Sequence, residues 1–252
     1  MQAEVAAHNI GWSAKQTDFR VYLDASVRRY YIAYQTLAAV PGARTVCDVG
    51  GFWGTFPLTL RALGYEVTMT ETLQYYSGTF DGLFDFLRGS GIAILDLDPF
   101  SSGAAIGHRF DFVSAMAVLE HFPHSLRDFM TNVTSMMAPG GRLYLEVPNI
   151  AFWPKRVGLL KGVTPLVPIA DIYQSGIPFI GHHHEFTAAE LRDLGRLSGL
   201  RLVRERFYNY SPHVLPSLRT VLRHPLWFLA FALPTSREVI AMAFCSKEGP
   251  PE

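Results

Sequence analysis

Cysteine is almost missing from this chain: Cys47 and Cys245 are the only two among 252 residues, and both fall in apolar runs that read as strands. A disulfide framework is therefore excluded, and a reducing, cytoplasmic setting fits. Neither charge is in excess, with 22 Lys plus Arg against 22 Asp plus Glu, so the basic face of a nucleic-acid binder is not expected. The longest uniform apolar run, Leu226 to Leu233, is closed by Pro225 and Pro234. It falls well short of the ~20 residues of a transmembrane helix. The N-terminal stretch MQAEVAAHNIGWSAKQ lacks the basic start and apolar core of a signal peptide. Internal repeats and low-complexity tracts are also missing.

What is present is a large apolar fraction, 49%, ample for one core. Mixed three- and four-residue apolar spacing predicts a helix over 18–40, stopped at Pro41-Gly42. Strand-like runs follow: RTVCDVG, YEVTMTE, IAILDLD, FDFVSAMAV, RLYLEVPN, LRLVRERFY and EVIAMAFCSK. Helical patterns separate the first five, over 55–64, 72–90 and SLRDFMTNVTSMMAPGG, the last read as ending on its Pro-Gly-Gly. Thr187 with Glu190 predicts a capping box at the start of another helix. Near-continuous apolar strands alternating with helices indicate a parallel sheet covered on both faces. The fold expected is α/β and Rossmann-like, in a single domain over 1–252. It carries an N-terminal helical segment, 1–42, and an apolar, Pro- and Gly-rich insertion over 150–181 that reads as a cap.

The stretch VCDVGGFWGTF, Val46 to Phe56, carries the chemistry. In an open α/β sheet, ligands bind beyond the carboxyl ends of the strands. Bare backbone at Gly50, Gly51 and Gly54 permits close approach and positive φ, and a helix starting near Gly54 presents unpaired N–H groups. A nicotinamide dinucleotide site requires G-x-G-x-x-G, and Val49 stands where its first glycine belongs. That argues against a nicotinamide-dependent oxidoreductase. The observed D-x-G-x-x-x-G, with an acid at the strand end, resembles the first motif of class I S-adenosylmethionine-dependent methyltransferases.

Later segments extend the resemblance. Glu71 ends the second strand, Asp96 and Asp98 end the third, and FDFVSAMAVLEHF, MMAPGGRLYLEVPN and GHHHEFTAAELRDLGRLSGLRLV are similar to the family's later motifs in order and spacing. It covers roughly 28 to 205 and points to the small-molecule branch, similar to O-methyltransferases of ubiquinone biosynthesis. It implies a seven-stranded, mostly parallel sheet with an antiparallel last strand. It also implies S-adenosyl-L-methionine as cofactor, held by Asp48, Gly50, Gly51, Phe52, Gly54, Glu71, Asp96, Leu97, Ala115 and Met116. Phe52 departs from the pattern, standing at the family's middle glycine. Some relatives of that type carry an E-x-x-E-H metal cluster after strand four. Here Ala117 replaces the first carboxylate, so no metal is expected.

His121, just past strand four, is the candidate catalytic base, because a positioned imidazole can take the proton of an attacking hydroxyl. Capping the next helix or binding Glu120 is the plainer role. Trp153, His182 and His184 are candidates for acceptor binding; the two histidines would share a face if the run is extended. Phe152 and Trp53 are further candidates for the pocket wall. Trp12, Phe19, Tyr30, Tyr31 and Tyr34 could cover the cofactor, although packing onto the core is the commoner use. The expected activity is O-methylation of a small metabolite, sugar or lipid-linked acceptor. A catalytically inactive cofactor-binding module is the alternative. Peripheral membrane contact through 219–233, with Arg219, Arg223 and His224 at head groups, competes with a buried helix or lid there.

Overall fold

The computed structural model describes residues 19–73, 81–103, 107–122, 125–175, 181–209, 218–225 and 232–246. Seven strands form one sheet: β1 (Thr45–Val49), β2 (Glu66–Glu71), β3 (Ile92–Asp96), β4 (Phe110–Met116), β5 (Met137–Pro148), β6 (Leu200–Tyr208) and β7 (Val239–Ser246). Their order is β3-β2-β1-β4-β5-β7-β6. The pairs β1–β2, β1–β4, β2–β3 and β4–β5 are parallel. Strand β7 runs antiparallel to both its neighbours. The order reverses between β1 and β4, and the crevice there is where such sheets take ligands.

Alternation along each strand divides the core in two. Val46 and Phe112 point into one apolar cluster, with Leu37 of α1 (Phe19–Leu37), Leu60 of α2 (Thr55–Ala62) and Leu87 of α3 (Asp81–Gly89). Cys47, Val113 and Leu145 point into the other, with Phe129 of α4 (Arg127–Ser135) and Leu191 of α7 (Ala188–Leu197). Both faces are buried, which is why the strands read as nearly unbroken apolar runs.

A buried polar knot fastens α1 to the sheet. Arg29 Nε donates to Glu146 Oε1 at 2.5 Å, and the Tyr208 hydroxyl donates to Glu146 Oε2. Tyr30 stacks on Phe56 at 5.5 Å, and Tyr34 packs against the same core. Tyr31, by contrast, is exposed. Trp12 and the side chain of Phe19 lie outside the described residues.

Three readings of the sequence change. The helix expected over 72–90 is seen as α3, and 74–80 lie outside the described residues. Helix α4 ends at Ser135, so Pro139-Gly140-Gly141 lies within β5. There Gly140 takes φ +77° and the β4–β5 register slips between Phe110 and Phe112. A Cβ on Gly141 would press on the carbonyl oxygens of Ala138, Phe110 and Asp111 at 2.9–3.1 Å. The glycines make a strand bulge instead of a helix stop. Among its described residues, the insertion after β5 holds two helices, α5 (Trp153–Leu160) and α6 (Ile169–Gln174). Neither buries a residue, which fits an appendage on the core. Helix α8 (Leu218–Arg223) precedes β7. No described helix is long and apolar enough to cross a membrane. Residues 226–231, most of the apolar run, lie outside the described residues.

Candidate active site

Carboxylates stand at the tips of three adjacent parallel strands. Asp48 on β1 is buried and accepts from Ser114 Oγ of β4 at 2.6 Å. Burial pushes its carboxyl up to about 7; the nearby Glu71 adds to the rise and the Ser114 hydrogen bond offsets part of it. Glu71 closes β2, and its Oε1 accepts from the Phe52 N–H. Its register partner on β3 is Asp96, which is exposed and accepts from the Leu73 N–H at 3.0 Å. The Leu97 N–H donates to the Glu71 carbonyl at 3.0 Å. Asp98 is engaged locally, accepting from the Phe100 N–H and the Ser101 hydroxyl.

The turn after β1 needs its glycines for different reasons. Gly50 takes φ +68°, and a Cβ there would meet Val118 at 2.9 Å. Gly54 takes φ +67° against Leu87 at 2.5 Å, letting α2 lie tight on α3. Phe52, where the family places glycine, also adopts the left-handed region, at φ 48°. That conformation points its N–H at Glu71, a use of strain characteristic of binding turns. Trp53 is buried, with its ring 4.5 Å from that of Phe52. Bare backbone at 50–51 beside three carboxylates suits a ligand bearing hydroxyls and amino groups, since ionised carboxylates accept only. This set of acceptors fits the methionyl, ribosyl and adenine parts of S-adenosylmethionine.

Across the switch point, β4 ends at Ala115 and Met116, followed by Ala117 at φ 57°. The next turn, Leu119–His121, is a 3₁₀ helix. Glu120 is fully buried, and burial drives its carboxyl up to about 7. Burial, aided by His182, pulls the His121 imidazole down to about 4, while its hydrogen bond to the Gly181 carbonyl acts the other way. His182 faces this turn, its ring 4.9 Å from that of His121. Its Nδ1 bonds Glu185 Oε1 at 3.0 Å, and Lys155 of α5 bonds the other Glu185 oxygen. Burial raises the Glu185 carboxyl, but the bonds from His182 and Lys155 outweigh it and leave it lowered.

The structure separates the two histidines expected to share a face. His182 turns inward, whereas His184 turns to Glu190 at 3.4 Å and is half exposed. The cause lies in the backbone: the N–H groups of His183 and His184 both reach the Glu120 carbonyl, at 2.7 and 3.4 Å, so the run turns instead of extending. Phe152 is buried, and Trp153 opens α5 with its indole N–H buried and unpartnered among the described residues.

Sequence reasoning missed Ser114, Lys155, Glu185 and the depth of Glu120. It also missed Asn149, which is buried at the end of β5 and donates to the carbonyls of Thr235 and Arg237. Only Glu120 had a signal, its place beside His121 in the LEH stretch.

No curated protein matches the chain by sequence. Solved structures share its fold. A methyltransferase solved in complex with the Haloferax volcanii Trm112 activator superposes with TM-score 0.60 at 14% identity, over 91% of this chain and 94% of that one. The N-methyltransferase NodS of Bradyrhizobium japonicum, holding S-adenosyl-L-homocysteine, gives 0.56 at 14% identity over 93% and 94%. Magnesium protoporphyrin IX methyltransferase of Synechocystis PCC 6803, also with that product bound, gives 0.53 at 16% identity over 93% and 90%. A family model described as a methyltransferase domain matches residues 25–205. With the sheet order, the acid-tipped strands and the glycine turn all in agreement, the chain belongs to the methyltransferase-domain family of class I enzymes that use S-adenosylmethionine.

Proposed function

We propose that this enzyme methylates an oxygen of a small metabolite, sugar or lipid-linked acceptor. The observation that carries the reading is the convergence of Glu120, His121 and His182 beside the β4 tip, across the crevice from the carboxylate row. An amine can attack with its own lone pair, whereas a hydroxyl must shed a proton, and a cluster of imidazoles and carboxylates is suited to that.

S-adenosylmethionine, when bound, supplies an electrophilic methyl on a sulfonium and leaves as S-adenosylhomocysteine. Asp48, Gly50, Gly51, Phe52, Gly54 and Glu71 hold its methionyl and ribosyl parts in this reading. Asp96, Leu97, Ala115 and Met116 border the adenine and the reactive end. Glu71 accepts the ribose hydroxyls, and Asp48 faces the cationic end from below. The hydroxyl proton of the acceptor passes to the histidine cluster, with His121 as its candidate recipient. Trp153 and His182 face the acceptor. The insertion over 150–181 covers it as a cap on a single 1–252 domain. Alignment and exclusion of water supply most of the acceleration.

The test is calorimetric binding of S-adenosylhomocysteine. A hydrogen bond to a charged group is worth about 1.5–3 kcal/mol, so Glu71→Ala, which removes at least one, should weaken binding at least about 10-fold with the fold retained. Equal affinity in wild type and Glu71→Ala would remove Glu71 from the site. Transfer of labelled methyl into hydroxylated against aminated acceptor libraries then decides the acceptor atom.

A further inference from the structure

The sequence argued against a metal because Ala117 stands where a first carboxylate would be. The structure brings a third donor from elsewhere: Glu120, His121 and His182 each present one ligand atom, all within 4.8 Å of one another. We propose that these three residues bind a divalent transition ion, zinc foremost. The inference rests on the acceptor side of the proposed function and makes His121 a ligand instead of a base.

Four observations favour an ion. Both carboxylate oxygens of Glu120 are buried, and beyond its own backbone N–H they have no hydrogen-bond partner among the described residues. A buried carboxylate without hydrogen bonds to other groups is costly unless it is closely paired or coordinates a metal. His182 is oriented as ligating histidines are: its Nδ1 is tied to Glu185 at 3.0 Å, leaving Nε2 toward Glu120, 4.0 Å away. That carboxylate–histidine pairing fixes the tautomer and raises ligand basicity, and Lys155 in turn holds Glu185. His121 is held by a hydrogen bond to the Gly181 carbonyl and offers a ring nitrogen to the same cluster. Finally, the backbone bonds from His183 and His184 to the Glu120 carbonyl clamp the two loops together.

Bonds of about 2.0–2.2 Å to nitrogen and oxygen place zinc ligands roughly 3.5 Å apart, so separations of up to 4.8 Å shorten by about 1.3 Å or less. Two imidazoles and one carboxylate suit zinc and its neighbours better than magnesium or calcium, which prefer all-oxygen sets. Three protein ligands leave a position open, as catalytic zinc sites do. The substrate class for that position is a hydroxylated acceptor, whose oxygen ionises on a cation and releases its proton to solvent.

The test uses the whole chain, freed of metal, with zinc alone by calorimetry and cobalt by visible absorption. One equivalent should bind at micromolar concentration or below, with the cobalt bands of a low-coordinate site. His182→Ala and Glu120→Gln should each weaken uptake at least 100-fold, Glu185→Gln 10- to 100-fold, and His184→Ala not at all. S-adenosylhomocysteine binding by each variant reports that it is folded. Absence of uptake, or uptake unchanged in His182→Ala, overturns the site. So does equal loss in His184→Ala, which would indicate adsorption on the histidine run. Failure of wild type to bind S-adenosylhomocysteine while taking up zinc would instead refute the cofactor assignment.

Discussion

The two sides of the crevice are built by different means. On the β1–β3 side, every candidate group lies in the last two residues of a strand or in the turn after it. Sheet register then does the assembly: Glu71 stands beside Asp96 because β2 and β3 pair in parallel at those residues. On the β4–β5 side the groups come from three separate places: the 3₁₀ turn after β4, helix α5, and the segment beyond the cap that holds His182 and Glu185. Side-chain pairs and two backbone bonds to the Glu120 carbonyl bring them together. The first side is a consequence of the fold. The second is an addition to it and is the side that can vary with the acceptor.

The sharpest way to probe the first side is Asp48. Its folded carboxyl titrates at about 7 against an ordinary 3.8. Between pH 4 and 7 the folded chain therefore holds a proton that the unfolded chain has lost, so this residue makes stability fall as pH rises through that window. Above pH 7 the penalty is constant, on the order of 4 kcal/mol. Asp48→Asn keeps an acceptor for the Ser114 hydroxyl and removes the penalty. It should be more stable than wild type at pH 8, with the two converging toward pH 4, and should bind S-adenosylmethionine more weakly. Denaturant melts at the two pH values check this; taking the difference cancels the titrations of Glu120 and His121. A gap that does not change with pH would mean that Asp48 ionises normally and that the crevice is wetter than its burial indicates.

Glycines give the next largest effect, and they separate core from cap. Gly54 and Gly162 share nearly the same φ, +67° and +76°. A Cβ at Gly54 meets Leu87 at 2.5 Å, whereas none lies within 4 Å at Gly162. Left-handed backbone costs a residue with a Cβ about 1–2 kcal/mol, and overpacking adds a further ~1–3. Gly54→Ala should then lower stability by roughly 2–5 kcal/mol and Gly162→Ala by roughly 1–2. Thermal melts at one pH compare them. Equal losses would mean that Leu87 moves aside freely and that the turn is not tightly seated.

The same division decides what could be read in advance. The glycine turn, the acids at strand ends and the alternation of strands and helices are local patterns of period two or 3.6, and each is visible in a short window. Val49 in place of glycine was enough to turn the reading away from a dinucleotide. The capping box at Thr187 was equally local, and both of its hydrogen bonds form. Pro139-Gly140-Gly141 misled because the same residues that stop a helix also make a strand bulge, and only the pairing of Met137 with Phe110 and of Arg142 with Phe112 decides between them. His182 beside Glu120 was not legible at all. No spacing rule links a turn after β4 to a loop beyond the cap, and an extended GHHHEF would have set His182 and His184 on one face. The deciding contacts are two N–H groups reaching one carbonyl, which the side chains do not announce.

His184 provides the smallest effect and the closest test of that separation. Its ring sits at the outer edge, 3.4 Å from Glu190, with both side chains about half exposed. Exposed pairs of this kind contribute about 0–1 kcal/mol. Glu190 retains its other bonds, to the Thr187 N–H at 2.7 Å and the Thr187 hydroxyl at 2.8 Å, so the cap of α7 survives without the imidazole. The edge contact with Phe186, at 4.7 Å between ring centroids, adds little because Phe186 is anchored in the core. His184→Ala should therefore shift stability by about 0.5 kcal/mol or less, a change of roughly 2 °C or less in a chain of this length. S-adenosylhomocysteine affinity should be unaltered. A loss several times larger would show that His182, His183 and His184 act as one unit, and the acceptor side would then owe its geometry to the run as a whole instead of to the single inward ring.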